Sequence, residues 1–264
     1  MTEWPNQGEQ TGEEPQSVLQ RAPHELELMR VAGRIVREVL DALEQACVPG
    51  VSTAELDRLA YDETVKRKAK PAFKGYLGFP CSLCASVNDE VVHGIPSKKR
   101  VLKEGDLMKL DFGVSFKGWF GDSARTVPVG KVSDAATRVL TVTQEALSRG
   151  IAAARAGART GDIGHTVQQY VEANGCNVVR DLTGHGIGKK LHEEPRVPNF
   201  GEPGTGLLLK PGMTIAIEPM VNAGTHKVVE LDDEWTIVTL DHALSAHFEH
   251  TIAITDGDAE ILTR

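Results

Sequence analysis

The chain predicts an α+β fold made of two pseudo-symmetric halves, each a helix–turn–helix followed by strands, around one shared antiparallel sheet. Three observations carry this. Gly50-Val-Ser-Thr-Ala-Glu-Leu56 recurs as Gly157-Ala-Arg-Thr-Gly-Asp-Ile163, an offset of 107 residues. The same offset aligns Leu102-Lys-Glu-Gly105 with Leu209-Lys-Pro-Gly212, and Leu110-Asp111 with Ile217-Glu218. Each repeated turn follows a long apolar stripe at helical spacing and precedes strand-like sequence. Half-units of this kind cannot bury their own faces, so the halves pack together and leave a cleft between them.

Residues 1–22 are rich in Gln, Glu, Gly and Pro and read as a flexible polar tail, leaving 23–264 as one domain. From His24 to Gln45, Met29, Ala32, Val36, Val39, Leu40 and Leu43 mark one face of a helix, which Val48-Pro49-Gly50 ends. Ser52 and Glu55 form a capping box that opens a second helix to about Lys68, with Leu56, Leu59 and Val65 inward. Pro and Gly between Lys70 and Pro80 indicate a loop, and Leu83–Ile95 and Leu107–Val129 read as strands. A second helical stripe covers Ala135–Ala156, and a further helix follows Gly157 to about Asn174.

Composition narrows the function. Hydrophobic residues make up 41% and charged residues 25%, which fits a folded globular chain. The net charge of −8 disfavours nucleic acid or an anionic membrane as partner, because phosphate binding needs a basic footprint. No apolar run reaches the roughly 18 residues of a membrane helix. Glu3, Glu9, Glu13 and Glu14 leave no apolar signal segment near the start. A cytoplasmic protein is the expectation. The four cysteines include a lone Cys81-Ser-Leu-Cys84, which lacks the second pair of a zinc ribbon and reads as packing thiols.

Acidic residues inside strands are the anomaly. Lys117-Gly118 reads as a two-residue hairpin turn that sets Phe116 opposite Trp119. Asp122 then faces Gly113, and Asp111 lies diagonal to it on the same face, with Cβ atoms about 7 Å apart. Thr183-Gly-His185-Gly-Ile-Gly188 sets a histidine among glycines, Thr214-Ile-Ala-Ile-Glu218-Pro219 ends a strand in a carboxylate, and Glu249 sits in a further β run. Taken singly, each fits a wet strand face or a surface histidine. Together, four carboxylates and one imidazole form an oxygen-rich set able to hold two divalent metals, with Mn, Fe, Co or Zn conceivable. Two such metals about 3.5–4 Å apart can share a hydroxide at neutral pH. A phosphate-loop reading of Thr183–Lys190 fails, because Thr183 and Lys190 stand where that motif needs Gly and Ser or Thr.

From about Ala22 to the C-terminus the chain resembles the type I methionine aminopeptidases of the pita-bread fold. The resemblance is carried by Asn88-Asp-Glu-Val-Val-His93-Gly-Ile-Pro96, Leu110-Asp111-Phe-Gly113, Gly121-Asp122-Ser123, Gly184-His185-Gly-Ile-Gly188, His192-Glu-Glu-Pro195, Ile217-Glu218-Pro219 and Glu249-His-Thr251. It implies a curved shared sheet and a single catalytic metallopeptidase domain. Asp111, Asp122, His185, Glu218 and Glu249 would ligate two metals, Glu218 would also shuttle protons, and His93 and His192 would contact substrate without binding metal. Tyr76, Phe79, Cys84 and Trp235 match a methionine pocket. The implied substrate is the N-terminus of a nascent polypeptide whose initiator methionine precedes a small residue. A monomer in transient contact with the ribosome is the accompanying expectation. Val92 and Leu191 depart from residues common in relatives, Leu191 standing where an aromatic often precedes the His-Glu-Glu-Pro motif. Xaa-Pro peptidases usually carry an additional N-terminal domain, type II enzymes carry an insertion for which the spacing of 26 from His192 to Glu218 is too short, and a binding module would have lost ligands.

Overall fold

The computed structural model describes residues 20–264, so the expected tail lies outside the described residues except for Gln20, Arg21 and Ala22. Arg21 is already buried, and its backbone N–H donates to Gly212 O at 2.7 Å. Helix α1 (Pro23–Ala46) starts with proline at its first position, buries the expected stripe and has Glu25 accepting from Ala22 N. Helix α2 (Thr53–Lys66) begins with the Ser52–Glu55 box. It ends two residues earlier than the periodicity suggests, and Val65 is 51% exposed rather than inward. The buried ridge runs through Leu56, Ala60 and Thr64 at four-residue spacing, and Thr64 satisfies its hydroxyl on Ala60 O at 2.6 Å. Leu59 is half-buried.

Strands β1 (Lys70–Pro71), β2 (Cys84–Val87), β3 (Glu90–Val92), β4 (Leu107–Phe116) and β5 (Trp119–Pro128) complete the first half. Lys117 and Gly118 both have positive φ, as a tight two-residue hairpin needs, and the β4–β5 register pairs Phe116 with Trp119 and Gly113 with Asp122, as expected. The second half comprises α3 (Asp134–Ala153), α4 (Thr160–Ala173), β6 (Asn177–Val178), β7 (Thr183–Gly186), β8 (Glu193–Pro198), β9 (Thr214–Ile217), β10 (Met220–Asn222), β11 (Val228–Glu230), β12 (Ile237–Thr239), β13 (Ser245–His247), β14 (His250–Ala253) and β15 (Glu260–Ile261).

The repeat is structural. Gly50 N donates to Leu102 O, and Gly157 N donates to Leu209 O; Thr53 N donates to Arg100 O, and Thr160 N to Leu207 O. The bridges Ser52–Val101 and Arg159–Leu208 obey the same 107-residue offset. Strand β4 centres one antiparallel ladder with β1, β2 and β5, while β15-β14-β9-β7-β8 forms the counterpart ladder, beside two three-stranded ladders. The halves are sewn together along β5. Glu249 N donates to Ala124 O at 2.9 Å, Thr251 Oγ1 to Asp122 O at 2.8 Å, and Thr126 Oγ1 to His247 O at 2.7 Å. Helix α1 covers β4 and β5, and α3 covers β9, β10 and β13, so the inner faces of both halves converge on one cleft.

Candidate metal centre and substrate cleft

The hairpin delivers Asp111 and Asp122 from β4 and β5; His185 comes from β7, Glu218 directly follows β9, and Glu249 directly precedes β14. Cβ atoms on Gly184 or Gly186 would lie within 2.4 Å of backbone oxygens of Ala216 or Glu194, so only glycine lets β7 fit between its neighbours. That squeeze brings His185 to the acidic side chains. Ligand atoms of Asp122, His185 and Glu249 all lie within 4.8 Å of one another, and His185 Nε2 stands 3.6 Å from Glu218 Oε1. His185 Nδ1 lies 2.8 Å from Gly186 O; a carbonyl only accepts, so the ring proton sits on Nδ1 and Nε2 keeps its lone pair.

These groups conflict electrostatically. Burial pushes Asp122 up to about 7 and raises Asp111 well above the usual carboxylate range, with repulsion from Asp122 adding to the latter. Glu218 is raised likewise, by burial first and by Asp111 and Asp122 next, and Glu249 by burial first and then by Asp122, Glu218 and Asp111. Burial lowers His185 to about 4, so its imidazole is neutral. Asp122 Oδ1 and Glu249 Oε1 are buried and have no hydrogen-bond partner among the described residues. Orphaned acceptors around a neutral imidazole fit divalent cations, which would compensate the charge and fill the empty acceptor positions.

The apolar side of the cleft is equally organised. Tyr76, Phe79, Cys84 and Trp235 fall in one apolar cluster with Ile187 and the fully buried Leu191, which fills the position of the expected aromatic. Phe79 meets the Trp235 ring edge-on at 5.1 Å. His192 lies 4.3 Å from the His185 ring, and its Nδ1 is 2.7 Å from the Tyr76 hydroxyl. His93 ends β3 in a left-handed conformation (φ 60°), with its ring 6.4 Å from that of Trp235. Burial lowers His93 to about 4 and His192 to about 3, so both are neutral at pH 7.

Residues 27–256 match the model of metallopeptidase family M24. The chain belongs to this family. Among M24 relatives it is 53% identical over 239 residues to a methionine aminopeptidase of Clostridium acetobutylicum, covering 90% of this chain and 96% of that protein. Methionine aminopeptidase 1 of Bacillus subtilis is 50% identical over 247 residues, covering 94% and 99%. The crystal structure of methionine aminopeptidase from Thermotoga maritima superposes with a TM-score of 0.93 at 45% identity, covering 94% of this chain and all of that one. The pita-bread architecture is therefore that of an M24 metallopeptidase.

The sequence missed three residues at this M24 site. His247 is 1% exposed, lies 3.7 Å from Glu218 Oε2 and has neither ring nitrogen hydrogen-bonded among the described residues. Lys109 is buried two residues before Asp111, donates from Nζ to Asn88 O at 2.9 Å, and is pushed down to about 7 by burial. The third is Arg21, which the tail assignment hid. Strand alternation could have flagged His247 and Lys109, since each shares the parity of a predicted ligand, Glu249 and Asp111.

Proposed function

We propose that this M24 chain is a methionine aminopeptidase. It removes the initiator methionine from nascent proteins and peptides whose second residue is small, by hydrolysing the first peptide bond. One observation carries the reading: a self-repelling cluster of four carboxylates and a neutral imidazole adjoins an apolar wall of three aromatic rings and a thiol. The names and near-full-length similarity of the relatives support it. Asp111, Asp122, His185, Glu218 and Glu249 would hold two divalent cations drawn from Co, Mn, Fe and Zn. Four carboxylate charges balance two such ions, and a single ion would leave buried negative charge. When bound, the cations supply Lewis acidity and an activated water.

The chain's own groups act around that water. Tyr76, Phe79, Cys84 and Trp235 receive the unbranched thioether side chain. Glu218 takes a proton from the water on a carboxylate oxygen and returns it to the leaving amine. His192 Nδ1 stands 2.7 Å from the Tyr76 hydroxyl, and in the tautomer with its proton on Nε2 the ring donates a hydrogen bond to the carbonyl oxygen as negative charge develops there. His93, held at the end of β3, orients the substrate on the opposite side of the pocket.

The substrates are N-termini of emerging polypeptides, met by a cytoplasmic monomer in transient contact with the ribosome. Four free cysteines, one of them in the pocket wall, suit a reducing compartment. The decisive experiment measures metal content beside methionine release from a Met-Gly peptide. Chelation should abolish release, and Mn or Co should restore it. Full activity in metal-free protein, or equal release of N-terminal Lys, would overturn the reading.

A further inference from the structure

The loop that carries His192 leaves β7 at Ile187 and returns at Glu193, and one side chain from outside the loop closes its neck. Arg21, in the segment just before α1, pairs through Nη2 with the Glu193 carboxylate. The same nitrogen donates to Ile187 O at 3.2 Å, and Nε donates to Thr214 Oγ1 at 3.1 Å. The other Glu193 oxygen accepts from Lys190 N at 2.9 Å, so Glu193 joins Arg21 to the loop interior. The guanidinium also lies over the Trp119 ring, 5.6 Å from its centre. A Cβ at Gly188 would come within 2.2 Å of the guanidinium, so the loop backbone is shaped to admit this arginine.

We infer that Arg21 is a positioning residue for the reaction. By bridging Ile187 and Glu193 it fixes the span of the loop, and with it the distance of His192 from His185 and the metal centre. An arginine suits this task because its planar guanidinium aims Nη2 at the carboxylate and the carbonyl while Nε holds Thr214, a two-point grip that a single lysine ammonium does not reproduce. The inference rests on the proposed role of His192.

The test compares Arg21→Ala, Arg21→Lys and His192→Ala in the full chain, with kcat, KM and metal content measured on a Met-Gly peptide. Arg21→Ala should keep its metal and its KM within about threefold while kcat falls by about tenfold to a hundredfold, the scale of a misplaced catalytic group. Arg21→Lys should fall between the two. Guanidinium at about 20 mM, far below denaturing concentrations, should restore much of the kcat of Arg21→Ala and leave His192→Ala unchanged. If Arg21→Ala does not fold, Glu193→Gln, which keeps the acceptor's shape and removes its charge, carries the same expectation for kcat. A kcat within threefold of the parent while His192→Ala is slow overturns this inference alone. Loss that tracks metal or folded protein, with no guanidinium response, also overturns it. A fully active His192→Ala overturns the role of His192 and this inference with it.

Discussion

In the first half, β4 and β5 set Asp111 opposite Ala124 and Gly113 opposite Asp122. In the second half, the register that pairs Ile217 with His250 and Met220 with His247 sets Glu218 across from Glu249. Asp111 and Glu218 thus occupy equivalent places, and His247 stands where the first half has Asp122. The turns and bridges that build the two halves are the same, while the inward side chains have diverged. The divergence follows a charge limit. With the two divalent cations proposed above, four carboxylates are balanced, and a fifth at position 247 would leave a buried negative charge without compensation. His247, lowered to about 3 by burial, stays neutral and adds none.

The sharpest way to break this comparison is to exchange its charges. Asp122→Asn removes one of the four negative charges at an atom with no other partner. Residues that merely support a ligand already cost about 10–100-fold in metal affinity or activity, so loss of a direct ligand should exceed that. Metal content after gel filtration and methionine release should fall together. His247→Ala, at the equivalent place in the other half, should keep its metal. If both variants retain full metal, the assignment of Asp122 is wrong; if both lose it, His247 is a sixth ligand.

A smaller effect separates chemistry from metal binding. His192→Ala should retain the metals and the fold yet lose about 10²–10³ in kcat, the worth of one preorganised donor to an oxyanion. Metal loss would make His192 a ligand, and a change below about threefold would make it a bystander.

The carboxylates also give the metal-free protein a pH signature. Asp122 rises from 3.8 to about 7 on folding, so its stabilising contribution is complete below the ordinary value and is lost as pH rises through 7. A cation needs the deprotonated form, so binding releases protons and strengthens in the same window. The gain in Tm on adding Mn should therefore grow between pH 5 and pH 8. Calorimetry at matched ionic strength checks this, and a gain independent of pH would mean that the carboxylates are already ionised without metal.

Much of this was legible from sequence because the signals are local. The hairpin register follows from Lys117-Gly118 and strand alternation alone, and with it the diagonal of Asp111 and Asp122. The 107-residue repeat survives because turns demand particular residues. Val65 faces solvent, because apolar character does not say which side of a short helix is covered; the buried ridge instead carries Thr64, whose hydroxyl bonds within the helix. Arg21 was invisible for another reason. Its partners Ile187, Glu193 and Thr214 lie more than 160 residues away, so no local pattern encodes its role.

The finest comparison is between the two equivalent helix starts. At α2 the Ser52 side chain accepts from Glu55 N, while the Glu55 carboxylate accepts from both the backbone N and the hydroxyl of Ser52. At α4 the cap is Arg159, with no side-chain acceptor, and only the return bond from Arg159 N to Asp162, at 2.7 Å, is present. The first half therefore uses both arms of the box and the second half one. Ser52→Ala should cost about 1 kcal/mol, the usual worth of a serine cap, with activity per folded molecule unchanged. Arg159→Ala leaves the backbone N–H that Asp162 uses and should cost less, so urea midpoints for the two variants should differ in that order. The reverse order would mean that the Arg159 side chain, which also donates to Gly206 O at 2.8 Å, anchors the second half more strongly than any cap.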